Sequence, residues 1–194
     1  MQTINIEFTV SATGCNIIWA WGMTDFGIGI VGGGYMGKAH AVAMSAVAAV
    51  FNTKLRPKLK SVAARSIKSA EIYKTKYGFE DAAFNWEQLV LDPKVEAVVI
   101  ASPQETHRVI AEAALSLGKP VLCEKPLAST LEDARAMVDA AQSANVTNMV
   151  GFNYIRTPVT QFARQLIDHG EIGDITWFRG CLLYTSPSPR DRSL

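Results

Sequence analysis

A glycine-rich segment follows the first strongly apolar run of this sequence and could bind phosphate groups. It reads Gly32-Gly33-Gly34-Tyr35-Met36-Gly37, which fits the spacing G-x-G-x-x-G. In that motif Gly32 permits a tight turn, Gly34 lets the backbone approach a pyrophosphate, and Gly37 lets the next helix pack closely. The N–H groups of Tyr35 and Met36 would face the phosphates. We predict a dinucleotide site, the alternative being a glycine-rich turn without a ligand.

The end of the second predicted strand bears on which dinucleotide would bind. An acidic residue there binds the ribose 2′-hydroxyl of NAD, whereas a nearby arginine accommodates the 2′-phosphate of NADP. This sequence has no carboxylate at Ala64, and Arg65 and Ser66 follow it. Because a guanidinium suits bidentate contact with phosphate, these residues favour NADP over NAD. The alternative is that Arg65 is a solvated surface residue and that NAD binds without an acidic partner.

A lysine after the fifth predicted strand could act on a substrate hydroxyl. Lys125 lies between Glu124 and Pro126, and the carboxyl ends of parallel strands are where such sheets bind ligands. A cation there would stabilise the alkoxide that forms when a hydroxyl proton is lost, as hydride departure from an alcohol requires. Lys125 is therefore the candidate catalytic residue, and the alternative is an ordinary solvated lysine.

Short apolar runs alternate with helical patterns between Met23 and Gly180, which is typical of βαβ units on a parallel sheet. Strands are predicted at 26–31, 59–64, 97–101, 120–124 and 146–151, with a weaker one at 82–84. Helices are predicted at 35–50, 66–77, 86–91, 105–117 and 131–144, with caps at Gly78, Asn85, Gly118 and Thr130. Residues 51–58 are predicted to form a surface loop. The predicted fold class is α/β, a Rossmann-type doubly wound parallel sheet.

The same patterning divides the chain into four segments. They are a non-native or disordered extension (1–22), the dinucleotide-binding domain (23–151), the crossover helix and first strand of a truncated α+β domain (152–180), and a tail that resembles a sequencing adapter (181–194). In the third segment, Pro158 should begin the helix and Asp174–Arg179 should form the strand. A genuine N-terminal extension is the alternative for the first segment.

Composition and charge exclude several classes of protein. The net charge is +1, with acidic and basic residues spread along the chain, so we expect no nucleic-acid partner. The longest apolar runs fall far short of the roughly 20 residues that a membrane helix needs, so we expect no membrane partner. Cys15, Cys123 and Cys181 have neither metal-ligand spacing nor an even number for pairing. We therefore expect no metal site and a cytoplasmic location.

Two further segments carry a family resemblance. Residues 100–107 read IASPQETH and residues 123–128 read CEKPLA. In this order after the glycine-rich segment they resemble the Gfo/Idh/MocA (glucose-fructose oxidoreductase and inositol dehydrogenase) family, and the likeness runs from Phe26 to Gly180. The resemblance implies an NAD(P)-dependent oxidoreductase that transfers hydride between nicotinamide and a hydroxyl or carbonyl carbon of a sugar, polyol or related compound. It also implies that the whole protein is a homo-oligomer.

The resemblance implies roles for individual residues as well. Ser102, Pro103 and His107 would line the cofactor side of the cleft, and Glu124 would lie by the nicotinamide ribose. Lys125 would face the substrate hydroxyl, and its bond to the following proline would be cis. A structural hydrogen bond on the first turn of a helix is the alternative interpretation of His107.

The resemblance places part of the catalytic machinery elsewhere. Members of this family carry an Asp and a His on a helix of the second domain, which we expect beyond residue 180, so residues 1–194 alone should be inactive. A methyltransferase on a Rossmann-like sheet is one alternative, but it has no role for Glu124 and Lys125. A non-catalytic, dinucleotide-binding regulatory protein on the same fold is the other.

Overall fold

The computed structural model describes residues 24–51 and 53–180. The predictions for residues 1–22 and 181–194 lie outside the described residues. The strands are β1 (Thr24–Val31), β2 (Leu55–Ala63), β3 (Asp81–Ala83), β4 (Ala97–Ile100), β5 (Val121–Cys123) and β6 (Asn148–Val150). The α-helices are α1 (Tyr35–Val50), α2 (Ile67–Tyr77), α3 (Trp86–Leu91), α4 (His107–Ser116), α5 (Leu131–Ala144) and α6 (Pro158–Asp168). Short 3-10 helices cover Gln104–Thr106 and Asn153–Arg156.

The six described strands form one parallel sheet in the order β3-β2-β1-β4-β5-β6. A helix lies between each pair of consecutive strands, which is the connection that parallel strands need. The chain moves outward in one direction from β1 to β3 and in the other from β4 to β6, so the winding reverses between β1 and β4. This is the order of the doubly wound Rossmann sheet, and the predicted fold class is confirmed.

Two buried clusters cover the two faces of the sheet. Successive side chains of a strand point to opposite faces, so Ile30 of β1 belongs to one cluster and Val31 to the other. On β4, Val99 lies in the first cluster and Ile100 in the second. Burial on both faces explains why these strands have continuous rather than alternating apolar sequences.

Four helix ends lie at the predicted caps. The side chains of Asn85 and Thr130 accept a hydrogen bond from the N–H three residues further on, at the starts of α3 and α5. Ser66, which was predicted to lie inside α2, instead caps that helix with the same kind of hydrogen bond. Gly78 and Gly118 follow α2 and α4 with φ of +77° and +70°. Local sequence therefore sets the helix boundaries.

Strand β2 is longer than predicted, and the surface loop predicted at 51–58 is wrong in its second half. The strand begins at Leu55, and Pro57 pairs in register with Phe26 of β1. Proline is depleted in central strands because it has no N–H for the sheet. Here β3 pairs with β2 only from Ser61 onward, so the segment around Pro57 has a neighbouring strand on one side only, where proline is tolerated.

The chain divides into two compact units after Gly151. In the second unit, α6 begins at the predicted Pro158, and the side chain of Thr157 caps it. The strand predicted at Asp174–Arg179 is wrong, because the structure assigns no strand to these residues. A strand needs a partner for its backbone N–H and C=O groups, and no described strand pairs with this segment.

Candidate functional site

The strands end in register along the carboxyl edge of the sheet. The terminal residues of β2, β1, β4, β5 and β6 pair in the order Ala63, Val31, Ile100, Cys123 and Val150. The residue after each of the last four strands donates its backbone N–H to the neighbouring strand: Gly32 to Ala63 at 2.8 Å, Ala101 to Val31 at 2.8 Å, Glu124 to Ile100 at 2.9 Å, and Gly151 to Cys123 at 2.8 Å. The predicted site residues therefore follow one row, with about 4.8 Å between neighbouring strands.

The glycine loop, residues 32–37, connects β1 to α1 within this row. Gly32 has φ of +110°, and a Cβ atom there would overlap the backbone of Ala101 at the end of β4. A Cβ atom on Gly37 would overlap the carbonyl oxygen of Gly32. Gly34 differs, because a Cβ atom there would meet no other atom within 4 Å. The chain thus packs tightly against the first and last glycines and leaves open space beside Gly34.

The first turn of α1 presents unpaired backbone N–H groups next to this space. The first hydrogen bond within the helix runs from the N–H of Lys38 to the carbonyl of Gly34 at 3.1 Å. The N–H groups of Tyr35, Met36 and Gly37 have no acceptor within the helix, and the first turn carries no acidic residue. Together with the helix dipole these groups favour an anion, so the loop offers the donors and the space that a pyrophosphate requires.

A tyrosine of α2, missed at the level of sequence, packs on the glycine loop. A Cβ atom on Gly33 would overlap the ring of Tyr73. The ring therefore fills the space that a side chain at position 33 would need. The Nζ atom of Lys38 lies 5.7 Å from the centre of the same ring, within cation–π range. The spacing of Tyr73 and Tyr77 could have indicated the face of α2 that packs against the sheet, since residues four apart share a face of a helix. Both tyrosines contact the buried cluster that contains Ile30 of β1. Nothing local to α2 identifies the contact with the glycine loop.

Arg65 and Ser66 follow β2, on one side of the glycine loop. Arg65 is exposed and forms no ion pair among the described residues. The hydroxyl of Ser66 accepts a hydrogen bond from the N–H of Ser69 at 3.3 Å and so caps α2. The first turn of α2 carries no acidic residue. A free guanidinium beside a helix N-terminus is an environment that suits a phosphate group.

His107 lies at the start of α4, after Ser102 and Pro103. Its side chain is buried, and its Nδ1 and Nε2 atoms lie 3.1 Å and 2.9 Å from the carbonyl oxygens of Leu127 and Ser102. The hydroxyl of Ser102 bonds to that of Thr106 at 2.7 Å. A neutral imidazole has one N–H, so His107 donates a structural hydrogen bond to one of these two carbonyls at a time, as in the alternative interpretation, and it packs between the end of β4 and the loop after β5. Its contact with a cofactor stays a prediction.

Glu124 begins the lysine loop, residues 124–127, on the other side of the glycine loop from Arg65. Its side chain is 6% exposed, and its Oε1 atom lies 2.7 Å from Nε2 of His40 in α1. Because a carboxylate only accepts hydrogen bonds, the Nε2 atom of His40 carries the proton. The Oε2 atom accepts the backbone N–H of Lys125 at 3.2 Å. The carboxylate therefore links the lysine loop to the helix that follows the glycine loop.

The sequence contained a signal for His40 that was not used. His40 lies three residues after Gly37 and next to Ala41, and both neighbours are buried in α1. Residues three apart on a helix share a face, so the imidazole lies on the side of α1 that packs against the sheet. The position of His40 could therefore have been inferred, but its partner could not.

Lys125 is exposed, and its bond to Pro126 is cis, as the resemblance implied. The Nζ atom makes no hydrogen bond or ion pair with the described residues, so the ammonium has free donors. The neighbouring Cys123 differs, because burial and the charge of Glu124 raise the pKa of its thiol to about 12. The thiol therefore keeps its proton at neutral pH. A catalytic role for Lys125 stays a prediction.

No group of three or more His, Cys, Asp or Glu side chains in residues 24–51 and 53–180 could hold a metal ion. The longest of the described helices, α1, has 16 residues, fewer than the roughly 20 that cross a bilayer. None of the helices that the structure describes qualifies as a membrane span.

Comparison with known proteins gives consistent matches. The model of an oxidoreductase family with an NAD-binding Rossmann fold, Gfo/Idh/MocA, matches residues 26–152. Levoglucosan dehydrogenase of Pseudarthrobacter phenanthrenivorans is 40% identical over 162 residues, which cover 83% of this chain and 42% of that protein. The 1,5-anhydro-D-fructose reductase of Ensifer adhaerens is 40% identical over 113 residues, which cover 58% of this chain and 34% of that protein.

Solved structures agree with the sequence matches. A structure of levoglucosan dehydrogenase in complex with NADH and levoglucosan has a TM-score of 0.77 and 39% identity, covering 78% of this chain and 41% of that chain. This chain therefore spans less than half the length of the relatives that it matches.

Proposed function

This chain belongs to the Gfo/Idh/MocA oxidoreductase family, whose Rossmann fold binds NAD, and from that membership we propose that it supplies the dinucleotide site for hydride transfer to or from a sugar or polyol. The observation that carries the proposal is the row along the carboxyl edge of the sheet. The glycine loop lies between Arg65 on the β2 side and Lys125 on the β5 side. A dinucleotide bound across the reversal of strand order would meet all three.

The glycine loop would hold the pyrophosphate. The N–H groups of Tyr35, Met36 and Gly37 would donate to its oxygens, and Gly34 leaves the space for their approach. Ser102, Pro103 and Glu124 would border the nicotinamide half, since they follow β4 and β5. Support for this half comes from strand order, because the two mononucleotide halves of a Rossmann sheet lie on either side of the reversal.

Lys125 would act on the substrate oxygen. When bound, the nicotinamide ring supplies the hydride acceptor or donor. The free ammonium of Lys125 would donate a hydrogen bond to the substrate hydroxyl and stabilise the negative charge that develops as the hydroxyl proton passes to the family's Asp and His relay, which is expected beyond residue 180. The exposure of Lys125 and the absence of a described partner for its Nζ atom support this role.

Arg65 favours NADP(H) over NAD(H) in this proposal. Its guanidinium has no ion-pair partner among the described residues, and it adjoins the acid-free first turn of α2. A 2′-phosphate would gain both a bidentate cation and helix N–H groups, whereas a bare 2′-hydroxyl would find no carboxylate. The relative solved with NADH shows that the same fold accepts the form without the phosphate.

The substrate class, assembly and location are further parts of the proposal. A relative named for levoglucosan supports a sugar or polyol substrate. The buried, unpaired thiol of Cys123 supports a reducing compartment such as the cytoplasm. Homo-oligomerisation of the whole protein rests on the family resemblance and is checked by light scattering of the product of the complete gene.

Dinucleotide binding is tested on this chain by titration with NADH and NADPH, followed by nicotinamide fluorescence. We expect saturable binding, tighter for NADPH. The R65A variant should weaken NADPH about tenfold, the effect of one lost charge-assisted contact, and leave NADH unchanged. R135A removes an exposed arginine of α5 and is the matched control. Absence of dinucleotide binding by the wild-type chain would overturn the proposed function. Equal NADPH affinities in the wild type, R65A and R135A would overturn the NADP preference.

Turnover is tested on the protein encoded by the complete gene, with a panel of sugars and polyols. The K125A variant should lose about 100-fold or more in kcat and keep its dinucleotide affinity, because a charge that stabilises the developing alkoxide acts in the transition state. K76A removes an exposed lysine of α2 and should leave kcat unchanged. Wild-type turnover by K125A would remove Lys125 from the mechanism.

A further inference from the structure

We propose that His40 is a positioning residue, which sets the lysine loop relative to the glycine loop through its hydrogen bond to Glu124. The inference rests on the proposed function, because it concerns the nicotinamide half of the same site. His40 lies in α1, outside both the glycine loop and the lysine loop, so neither motif gives it a role.

The geometry of the pair is the first support. Nε2 of His40 and Oε1 of Glu124 lie 2.7 Å apart, and the two side chains are only 16% and 6% exposed. A charge-assisted hydrogen bond with this little exposure is weakly screened by solvent. The contact joins residues 84 apart in sequence, so it bridges two separate elements of the fold.

The elements that it bridges are the second support. His40 lies one helical turn after Gly37, in the helix whose N-terminus would receive the pyrophosphate. Glu124 follows β5 directly, and its other carboxylate oxygen holds the backbone N–H of Lys125. A single carboxylate therefore connects the start of α1 with the backbone of the candidate catalytic lysine.

The space around the carboxylate is the third support. A Cβ atom on Gly151, at the end of β6, would lie 2.8 Å from Oε1 of Glu124, which is closer than such atoms approach. The glycine thus leaves room for the carboxylate between β6 and α1. With His40, the N–H of Lys125 and Gly151 around it, the side chain of Glu124 has one well-defined position.

The inference makes a selective prediction about ligands. Loss of the His40 hydrogen bond removes one of the two side-chain contacts that position the lysine loop, and it leaves the glycine loop, which depends on backbone geometry, unchanged. NADH uses both halves of the site, whereas ADP lacks the nicotinamide and its ribose and uses only the half near the glycine loop and Arg65. H40A should therefore weaken NADH about tenfold, as loss of one charge-assisted hydrogen bond does, and change ADP less than twofold.

The experiment is calorimetric titration of the 194-residue chain and its variants with NADH and with ADP. H40Q should restore most of the NADH affinity, because its amide nitrogen can donate in the place of Nε2. H169A, which removes an exposed histidine after α6, should match the wild type. If H40A does not fold by circular dichroism, H40N makes the same comparison, since its amide is too short to reach Glu124.

Two results would overturn the positioning role of His40. One is an equal loss of affinity for NADH and ADP, which would show that the pair merely supports the fold. The other is an unchanged NADH affinity in H40A. A wild-type chain that binds neither ligand would instead overturn the proposed function, and the inference would fall with it.

Discussion

The glycine loop and the lysine loop lie in the same row but are built in different ways. The glycine loop takes its shape from backbone conformation, with a positive φ at Gly32 and no room for a side chain at Gly37. The lysine loop takes its position from side chains distant in sequence, His40 on Glu124 and His107 on the carbonyl of Leu127. One loop is a property of a segment, and the other is a property of the folded domain.

This difference predicts how each loop tolerates change. A glycine that faces backbone atoms cannot gain a methyl group without movement of the main chain, so substitution there should unfold the domain or distort it. A hydrogen bond between side chains can be removed at a smaller cost, and its loss should shift a loop rather than the fold. Three substitutions separate the two cases, and a fourth tests the burial of the strand that leads into the lysine loop.

G37A should have the largest effect, because its Cβ atom would overlap the carbonyl oxygen of Gly32. We expect a loss of about 2–4 kcal/mol in the free energy of unfolding, as overpacking against rigid backbone gives. Urea denaturation followed by circular dichroism measures it. Wild-type stability in G37A would show that the start of α1 can move away from Gly32. The contrast between a rigid glycine loop and a lysine loop held by side chains would then fail.

H107A should cost somewhat less and should act through the lysine loop. The change leaves a cavity and removes the hydrogen bond that the ring donates to the carbonyl oxygen of Ser102 or Leu127, for a loss of about 2–3 kcal/mol. The same urea denaturation serves, with the exposed His169 changed to Ala as the control. If H107A and H169A unfold at the same urea concentration, His107 does not hold the two loops together.

G34A should reverse the pattern of G37A. Because a Cβ atom at Gly34 meets nothing within 4 Å of the chain, the free energy of unfolding should change by less than about 0.5 kcal/mol. The methyl group would, however, occupy the space proposed for the pyrophosphate, and NADH should bind about tenfold more weakly. An unchanged NADH titration would place the pyrophosphate elsewhere.

C123A should have the smallest pH-dependent effect, which is confined to high pH. The pKa of the Cys123 thiol is raised to about 12 in the folded chain, above its ordinary value of 9.0, so the folded state holds a proton that the unfolded state releases. The stability due to this proton is complete below pH 9 and is lost as the pH rises toward 12. Between pH 7 and pH 10 the free energy of unfolding of the wild type should fall by roughly 1 kcal/mol more than that of C123A.

Urea denaturation of both proteins at pH 7 and pH 10 tests this difference. Tyrosines and lysines also titrate in this range, but they are common to the two proteins and cancel in the comparison. Parallel pH profiles would mean that the thiol is less buried than the structure shows.

The elements of the fold were largely readable from sequence, and the exceptions have physical causes. The caps at Asn85 and Thr130 and the apolar strands are local features, and they were predicted correctly. The start of β2 at Leu55 was missed because tolerance of Pro57 depends on where β3 begins to pair. The strand predicted at Asp174–Arg179 was wrong because an extended pattern forms a strand only with a partner.

The sequence by itself determined the class of fold, the glycine loop and the position of Lys125 after a strand. These follow from residue type and spacing, because turns, caps and apolar periodicity act over a few residues. Only the tertiary structure decided that Tyr73 occupies the place of a side chain at Gly33 and that His40 holds Glu124. Such partners are distant in sequence, and the packing of helices on the sheet, which no local pattern records, determines which side chains meet.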